Sequence, residues 1–279
     1  MRGYTISDAI SLGQNQLKNI SSNYANETLW LLKHCLKTTS SDLLINQSSQ
    51  IFNYQYKLFL ELLNRRVKKE PIQYILESIC FYGHDFNINK NVFIPRPETE
   101  QCIDILKKYH SYSDSVLEIG SGTGCLPITL SLENLAANII SIDINPQAII
   151  QSKQNAKKFN CHNIIFKHQD FFNMPIERKY NLIISNPPYI PMKDIDSLDI
   201  EVKLFDPIEA LTDYSDGLKF YKYFSKFGRK LVHKGGVILL EFGGAEQLVD
   251  IQKIFNQNNY KHQIFDDLNK DPRFILITI

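Results

Sequence analysis

The chain carries little that would mark it for an oxidising compartment, a metal centre or a membrane. Its five cysteines, Cys35, Cys80, Cys102, Cys125 and Cys161, are scattered, odd in number and without C-x-x-C spacing, which argues against a disulfide framework and a structural zinc site. The seven histidines show no metal-ligand spacing, so no metal is assigned. No apolar run approaches membrane-spanning length, and residues 1–8 lack the apolar stretch of a secretion signal; a cytoplasmic protein without membrane contact is expected. An excess of one charge is also missing. With 31 Lys and Arg against 30 Asp and Glu the formal net charge is +1, so no broad field steers the chain toward nucleic acid. Internal repeats and low-complexity segments are absent. What is there is ordinary globular material, 279 residues long, enough for one large domain or a medium one with a small companion.

Three regions differ in pattern. Residues 5–70 read as helical, with Ala9, Leu12, Leu17 and Ile20, then Leu29, Leu32 and Leu36, recurring at helical spacing. Ser7-Asp8 and Thr39-Ser40-Ser41-Asp42 are cap sites, and a long helix is predicted over 50–69, stopped by Pro71. Its basic end, Arg65-Arg66-Val67-Lys68-Lys69, suits the helix dipole and is read as a solvated face. Residues 72–94 turn aromatic and β-branched, with turn residues at 83–85 and 89–91, and predict a β-hairpin linker. Strand-like runs at 115–119, 138–142, 163–166, 180–185 and 237–242 then alternate with helical stretches, which predicts βαβ units and a mostly parallel, doubly wound sheet. Runs at 260–265 and 273–279, joined by a turn-rich segment after a last helix near 247–256, are expected to pair antiparallel at its edge. The boundaries expected are therefore 1–71, 72–96 and 97–279.

Four constellations fall on strand ends of the third region. Leu117-Glu118-Ile119-Gly120-Ser121-Gly122-Thr123-Gly124 follows one strand and precedes a helix, the setting in which a glycine loop brings its backbone close to a ligand. Alone it also reads as a tight turn. Asp143 ends the next strand; an acid about 20 positions beyond such a loop suits ribose hydroxyls, the plainer reading being a cap for the helix starting near Pro146. Gln169-Asp170-Phe171-Phe172 follows the third strand, where an acid and an aromatic suit a purine amino group and face, or else a turn and core. The fourth is Asn186-Pro187-Pro188-Tyr189, straight after the run 180–185. Two prolines have no N–H and hold φ near −65°, so neither strand nor helix continues. The rigid turn offers the Asn186 side-chain oxygen and the Pro187 carbonyl as acceptors beside the Tyr189 ring. That is a receptor for a planar –NH2 group, whose nitrogen becomes a better nucleophile when its N–H bonds are accepted.

Taken together these motifs resemble class I S-adenosylmethionine-dependent methyltransferases. Pro71-Ile-Gln-Tyr-Ile75, Phe81-Tyr-Gly83, Ile94-Pro-Arg-Pro-Glu-Thr-Glu100, Ser185-Asn-Pro-Pro-Tyr-Ile190 and Asp267-Leu-Asn-Lys-Asp-Pro-Arg273 resemble the peptide chain release factor glutamine methyltransferases (the HemK/PrmC family), across nearly the whole chain from residue 71. The resemblance implies a seven-stranded Rossmann-like catalytic domain, a small all-helical N-terminal domain that recognises substrate, and methylation of the glutamine amide nitrogen in the Gly-Gly-Gln loop of class I release factors. It further implies that Gly120, Ser121, Gly122, Thr123 and Gly124 line the cofactor loop, that Asp143 takes the ribose, and that Asp170 and Phe171 flank the adenine. Asn186, Pro187, Pro188 and Tyr189 would hold the substrate amide, with Asn186 also bordering the cofactor, which leaves as S-adenosyl-L-homocysteine. Phe171 stands where relatives often carry tryptophan. Pro127 and 241–247 also depart from the commonest forms, without removing a proposed catalytic group. Arg96, Glu98 and Glu100 are candidates to bond across the cofactor mouth, or their segment is simply an interdomain linker that starts a helix at Glu98, and both readings stand; Glu201 and 205–211 are read as support or partner contact.

Two competing readings remain at this point. The same turn serves methylation of an exocyclic amino group on adenine or guanine, but extruding a base and holding a duplex call for a basic surface, which a net charge of +1 does not provide. A silent cofactor-binding module is the other; every proposed contact residue is present, and nothing favours it. A monomer without direct nucleic-acid binding is expected.

Overall fold

A computed structural model describes residues 4–110 and 112–279. Residues 1–3, part of the N-terminal stretch read above, lie outside the described residues. The chain forms two compact units, one reaching Ser78 and the other running from Ile79 to Ile279.

The first unit is helical: α1 (Ile6–Leu17), α2 (Tyr24–Leu36), α3 (Ser40–Ile45), α4 (Asn53–Val67) and α5 (Ile72–Leu76). The helices α1 and α3 begin in capping boxes, Thr5 with Asp8 and Thr39 with Asp42, each satisfying two otherwise orphaned N–H groups. Leu17, Leu31, Leu32, Phe59 and Leu63 face inward to make one core. Inside it Arg66 Nε donates to Glu27 Oε2 at 2.7 Å, both side chains nearly inaccessible. The hairpin expected from residue 72 starts later. Residues Ile72–Leu76 are helical because Pro71 occupies the N-cap, where its missing N–H costs no bond, and because Ile72, Tyr74 and Ile75 bury one side.

The hairpin itself is β1 (Ser78–Phe81) and β2 (His84–Asn87). Tyr82 and Gly83 turn it with φ of 50° and 77°, the two positive values that a tight two-residue hairpin needs. Phe81 and Phe86 are buried in the core of the second unit.

The second unit is built on β3 (Ser113–Ile119), β4 (Ala136–Asp143), β5 (Ile164–His168), β6 (Tyr180–Ser185), β7 (Val232–Glu241), β8 (Lys261–Asp266) and β9 (Pro272–Thr278). Their order in the sheet is β5-β4-β3-β6-β7-β9-β8. The first five run parallel, and β9 lies antiparallel to both β7 and β8, the edge pair predicted from the turn-rich segment. Helices α6 (Gln101–Tyr109), α7 (Cys125–Leu132), α8 (Pro146–Lys158), α9 (Ile200–Phe205), α10 (Ile208–Leu211), α11 (Lys219–Leu231) and α12 (Ala245–Gln257) connect or flank the strands. Val116, Leu182 and Leu239 belong to one apolar cluster, while their neighbours Leu117, Ile183 and Ile238 belong to another. Successive strand residues point to opposite faces, so the near-continuous apolar runs are the mark of a sheet covered on both sides. From β3 the chain winds outward to β4 and β5, then crosses back to β6 on the other flank of β3. That reversal opens a crevice at the carboxyl ends of β3, β4 and β6, where doubly wound folds bind ligands. Among the described residues no helix is long and apolar enough to cross a membrane.

Candidate active site

A cavity open to solvent occupies that crevice. Gly120, Gly122, Asp143, Asp170, Phe171, Asn186, Pro187 and Pro188 all border it, so four motifs that are distant in sequence meet around one space.

The glycine loop is held open from below. Gly120 and Gly122 have φ of 89° and 52°, where side chains are strained. A Cβ on Gly122 would meet nothing within 4 Å, and one on Gly120 only the Asn186 carbonyl at 3.8 Å. The loop therefore presents bare backbone to the cavity. Gly122 N–H donates to Asp143 Oδ2 at 2.9 Å and Asn145 N–H to Oδ1 at 2.8 Å. Burial raises the Asp143 pKa, against these two bonds. The cap of α8 is Asn145, accepting from Gln147 N–H at 2.8 Å, so the plainer reading of Asp143 as a helix cap does not hold. Ser121, Thr123 and Gly124 do not border the cavity. The Ser121 hydroxyl shares a hydrogen bond with Ser141, the Thr123 hydroxyl lies 2.8 Å from Cys125 Sγ, and Gly124 caps α7. Beneath them the wholly buried Glu118 accepts from Ser141, its pKa pushed well up by burial.

Asp170 and Phe171 each do two things. Asp170 borders the cavity and caps the short helical turn Phe171–Asn173, accepting from Phe172 N–H at 2.9 Å. Phe171 is 4% exposed; it stacks on Phe220 with centroids 6.1 Å apart and packs against Phe224. The reading of this segment as turn and core is correct in packing, and both side chains still border the cavity.

At the end of β6, Asn186 Nδ2 donates to Thr99 Oγ1 at 3.1 Å, and the Thr99 hydroxyl donates to Glu241 Oε2 at 2.7 Å. Asn186 Oδ1 accepts from no donor among the described residues. Glu241 is buried at the end of β7, and burial raises its pKa to about 7 against the pull of Thr99, Arg273 and Asn186. Tyr189 does not border the cavity. Its half-buried ring packs on the core of the sheet face, its carbonyl accepts from Gln247 Nε2 at 2.7 Å, and Gly217 presses so close that a Cβ would sit 2.1 Å from that oxygen.

The far wall comes from Phe93 and from residues between Pro207 and Phe220. Arg96 pairs with Asp206 and lies 4.9 Å over the Phe93 ring, joining the two segments. Asp213 accepts from Gly217 N–H at 3.0 Å and Lys219 N–H at 2.9 Å, which shapes the loop before α11. Thr99, Glu241 and Asp213 were not singled out by sequence reasoning; Thr99 lies in a segment that carries the resemblance and Glu241 in one that departs from it, and their bond joins positions 142 apart.

Comparison with known proteins agrees with this geometry. A methyltransferase domain family matches residues 110–271, and the PrmC N-terminal domain family matches residues 8–76. A release factor glutamine methyltransferase of Bacillus cereus is 34% identical over 252 residues, covering 86% of this chain and 88% of that protein. A bifunctional methyltransferase of Rickettsia bellii is 32% identical over 307 residues, covering 99% of this chain and 55% of that protein, so the chain spans little more than half of that relative's length. Among solved structures, a methyltransferase from Pyrococcus furiosus superposes with a TM-score of 0.54 at 13% identity, over 80% of this chain and 99% of that one, a likeness of fold.

Proposed function

The chain belongs to the release factor glutamine methyltransferase family, and on that premise we propose that it methylates the side-chain amide nitrogen of the Gly-Gly-Gln glutamine in class I peptide chain release factors, using S-adenosyl-L-methionine. The observation that carries this reading is the meeting of Asn186 and Pro187 with Gly120, Gly122 and Asp143 on one cavity: a receptor for a flat –NH2 group set against a bare glycine backbone and an acid.

The residues present fit the cofactor. The empty space above Gly122, where even a Cβ would touch nothing, suits close approach of a ligand along the loop. Asp143 suits the ribose hydroxyls, its oxygens having acceptor capacity beyond the two N–H bonds they take. Asp170 and Phe171 suit the amino group and edge of the adenine. When bound, the cofactor supplies a methyl group on a sulfonium sulfur, activated for in-line displacement. The work of the chain is on the substrate side. Asn186 Oδ1 and the Pro187 carbonyl would each accept one N–H of the glutamine amide, shifting electron density onto nitrogen and fixing its direction. Alignment of this kind is worth up to about 7–11 kcal/mol of the barrier. An amide nitrogen becomes strongly acidic as it is alkylated, so its proton can pass to water and no strong base is required. Tyr189, turned into the core, would act by bracing the Asn-Pro-Pro turn.

The same proposal assigns substrate recognition to the helical unit ending near Ser78, with the hairpin as linker, and treats the protein as a cytoplasmic monomer that needs neither membrane nor direct nucleic-acid contact. The test is mass spectrometry of a class I release factor incubated with the protein and labelled cofactor. Label is expected on the Gly-Gly-Gln glutamine and none on a Gln-to-Ala release factor; label that persists in the substituted factor overturns the assignment.

A further inference from the structure

The Asn186 side chain can be turned over about its terminal bond with almost no change of shape, exchanging an oxygen for an NH2. Packing cannot choose between the two; only hydrogen-bond polarity can. The choice decides the chemistry, because the substrate brings two N–H donors and an NH2 pointed at them would oppose donor to donor.

We propose that Thr99 and Glu241 are positioning residues that set which end of the Asn186 amide faces the substrate. This rests on the reading of Asn186 as acceptor for the substrate amide. The polarity runs one way through the three groups. An ionised Glu241 carboxylate can only accept, so the Thr99 hydroxyl hydrogen is drawn to Oε2 at 2.7 Å. The Thr99 oxygen is then left with lone pairs and takes Asn186 Nδ2 at 3.1 Å. Oδ1 is left as the acceptor. Neither Thr99 nor Glu241 borders the cavity, and both are buried, so they act through Asn186 rather than on the reacting atoms.

The parallel sheet makes the arrangement possible. Ser185 of β6 is paired with Leu240 of β7, so Asn186 and Glu241 leave adjacent strand ends side by side. The turn Pro97–Glu100 lays Thr99 between them. A carboxylate buried here is costly, yet three groups draw charge onto it. The surroundings of Glu241 are Glu98 and Thr99 on that turn, Cys102 on α6, Asn186 and Tyr189 after β6, Tyr221 on α11 and Arg273 on β9. Burial and Glu98 favour the neutral acid, while Thr99, Arg273 and Asn186 favour the anion, which leaves the group near pH 7. A protonated Glu241 can donate to Thr99, freeing the Thr99 hydrogen to turn toward Asn186 and reverse the whole chain.

The test uses the full-length protein with Thr99→Val, Thr99→Ser and Glu241→Gln. Thr99→Val is expected to lower kcat/KM on a class I release factor by about 10- to 100-fold, with the cofactor Kd held within about threefold, and Thr99→Ser to restore most of the loss. Wild-type turnover is expected to rise through an acid limb near pH 7 that Glu241→Gln lacks. A second readout is independent of turnover. The Asn186 side-chain NH2 resonances, identified by their loss in Asn186→Asp, are expected to shift across the same pH range in the wild type and to stay still in Glu241→Gln. Wild-type kcat/KM in Thr99→Val, or NH2 resonances insensitive to pH, would overturn the relay. If the wild type leaves the release factor unmethylated, the substrate reading fails and the resonance titration alone decides the relay.

Discussion

Two glycines of the same loop are expected to fail in different ways when a single methyl is added. Gly122 and Gly124 both have positive φ, 52° and 81°, so alanine at either carries backbone strain of about 1–2 kcal/mol. Their surroundings differ. At Gly122 the new methyl meets nothing within 4 Å and projects beside the cavity; at Gly124 it would lie 3.0 Å from both Ile128 Cδ1 and Ser152 Cβ and 3.1 Å from Ser152 Cα. Those neighbours belong to α7 and α8, and the contact adds about 1–3 kcal/mol of overpacking. Gly124→Ala is therefore expected to lose about 2–5 kcal/mol of stability, a large share of the ~5–15 kcal/mol typical of a domain. Gly122→Ala is expected to lose only the strain. Its methyl, however, occupies the space assigned to the cofactor, and a loss of at least tenfold in affinity, about 1.4 kcal/mol, is expected. Urea unfolding and isothermal titration with S-adenosyl-L-methionine measure the two effects separately. If Gly122→Ala binds cofactor as tightly as the wild type, the loop does not form the cofactor wall and the assignment of the cavity is wrong.

The remaining predictions probe the amide receptor, the helical unit and the buried acid. Asn186→Ala is expected to lower turnover by about 10²–10³-fold while cofactor affinity changes only a few-fold; an equal loss of both by titration and single-turnover kinetics would make Asn186 a cofactor ligand instead. Glu27→Ala removes a buried charged partner of Arg66 inside the helical unit and should cost about 1.5–3 kcal/mol, whereas Asp216→Ala breaks a half-exposed pair with Lys222 and should cost less than about 1 kcal/mol by urea unfolding. Glu241 has a folded pKa of about 7 against an ordinary 4.5. Between those values the folded chain keeps a proton that the unfolded chain has released, so this carboxyl makes stability fall as pH rises through that window. Relative to Glu241→Gln, the wild type is expected to lose up to roughly 3 kcal/mol between pH 5 and pH 8; parallel stability profiles would show that burial does not raise this group.

What could be read before folding was chemistry confined to one strand and its following turn. The glycine loop, Asp143 and the Asn-Pro-Pro turn each announce themselves because backbone conformation, acid placement and the loss of N–H donors are set by neighbours in sequence. The alternation of apolar runs likewise placed the strands within a few residues, and the turn-rich segment before Pro272 marked the antiparallel edge. Two kinds of information were hidden. One is the facing of side chains within a short motif: Tyr189 and Ser121 belong to recognisable motifs, yet each turns inward, Tyr189 onto the core and Ser121 onto Ser141. The other is long-range pairing. Pro71 followed by β-branched and aromatic residues suggested a strand, but tertiary burial of Ile72, Tyr74 and Ile75 selected a helix turn. Phe171 posed a false choice between core and site, since a residue on the cavity floor is both.

Glu241 shows why function and stability oppose each other at this site. Its carboxylate is retained at the end of β7, wholly buried, where a neutral residue would leave the sheet more stable at high pH. The same burial that raises its pKa isolates the Thr99 hydroxyl from water, so solvent does not compete for the bonds Thr99 makes, and a low local dielectric strengthens them. The ionised state that destabilises the fold is the one that points Asn186 Oδ1 at the substrate. Turnover should therefore rise near pH 7, at the upper end of the window in which stability falls, and both changes should vanish together in Glu241→Gln. A structural role for this acid predicts only the second change, whereas a positioning role requires both, with the turnover midpoint near pH 7, where the fall in stability levels off.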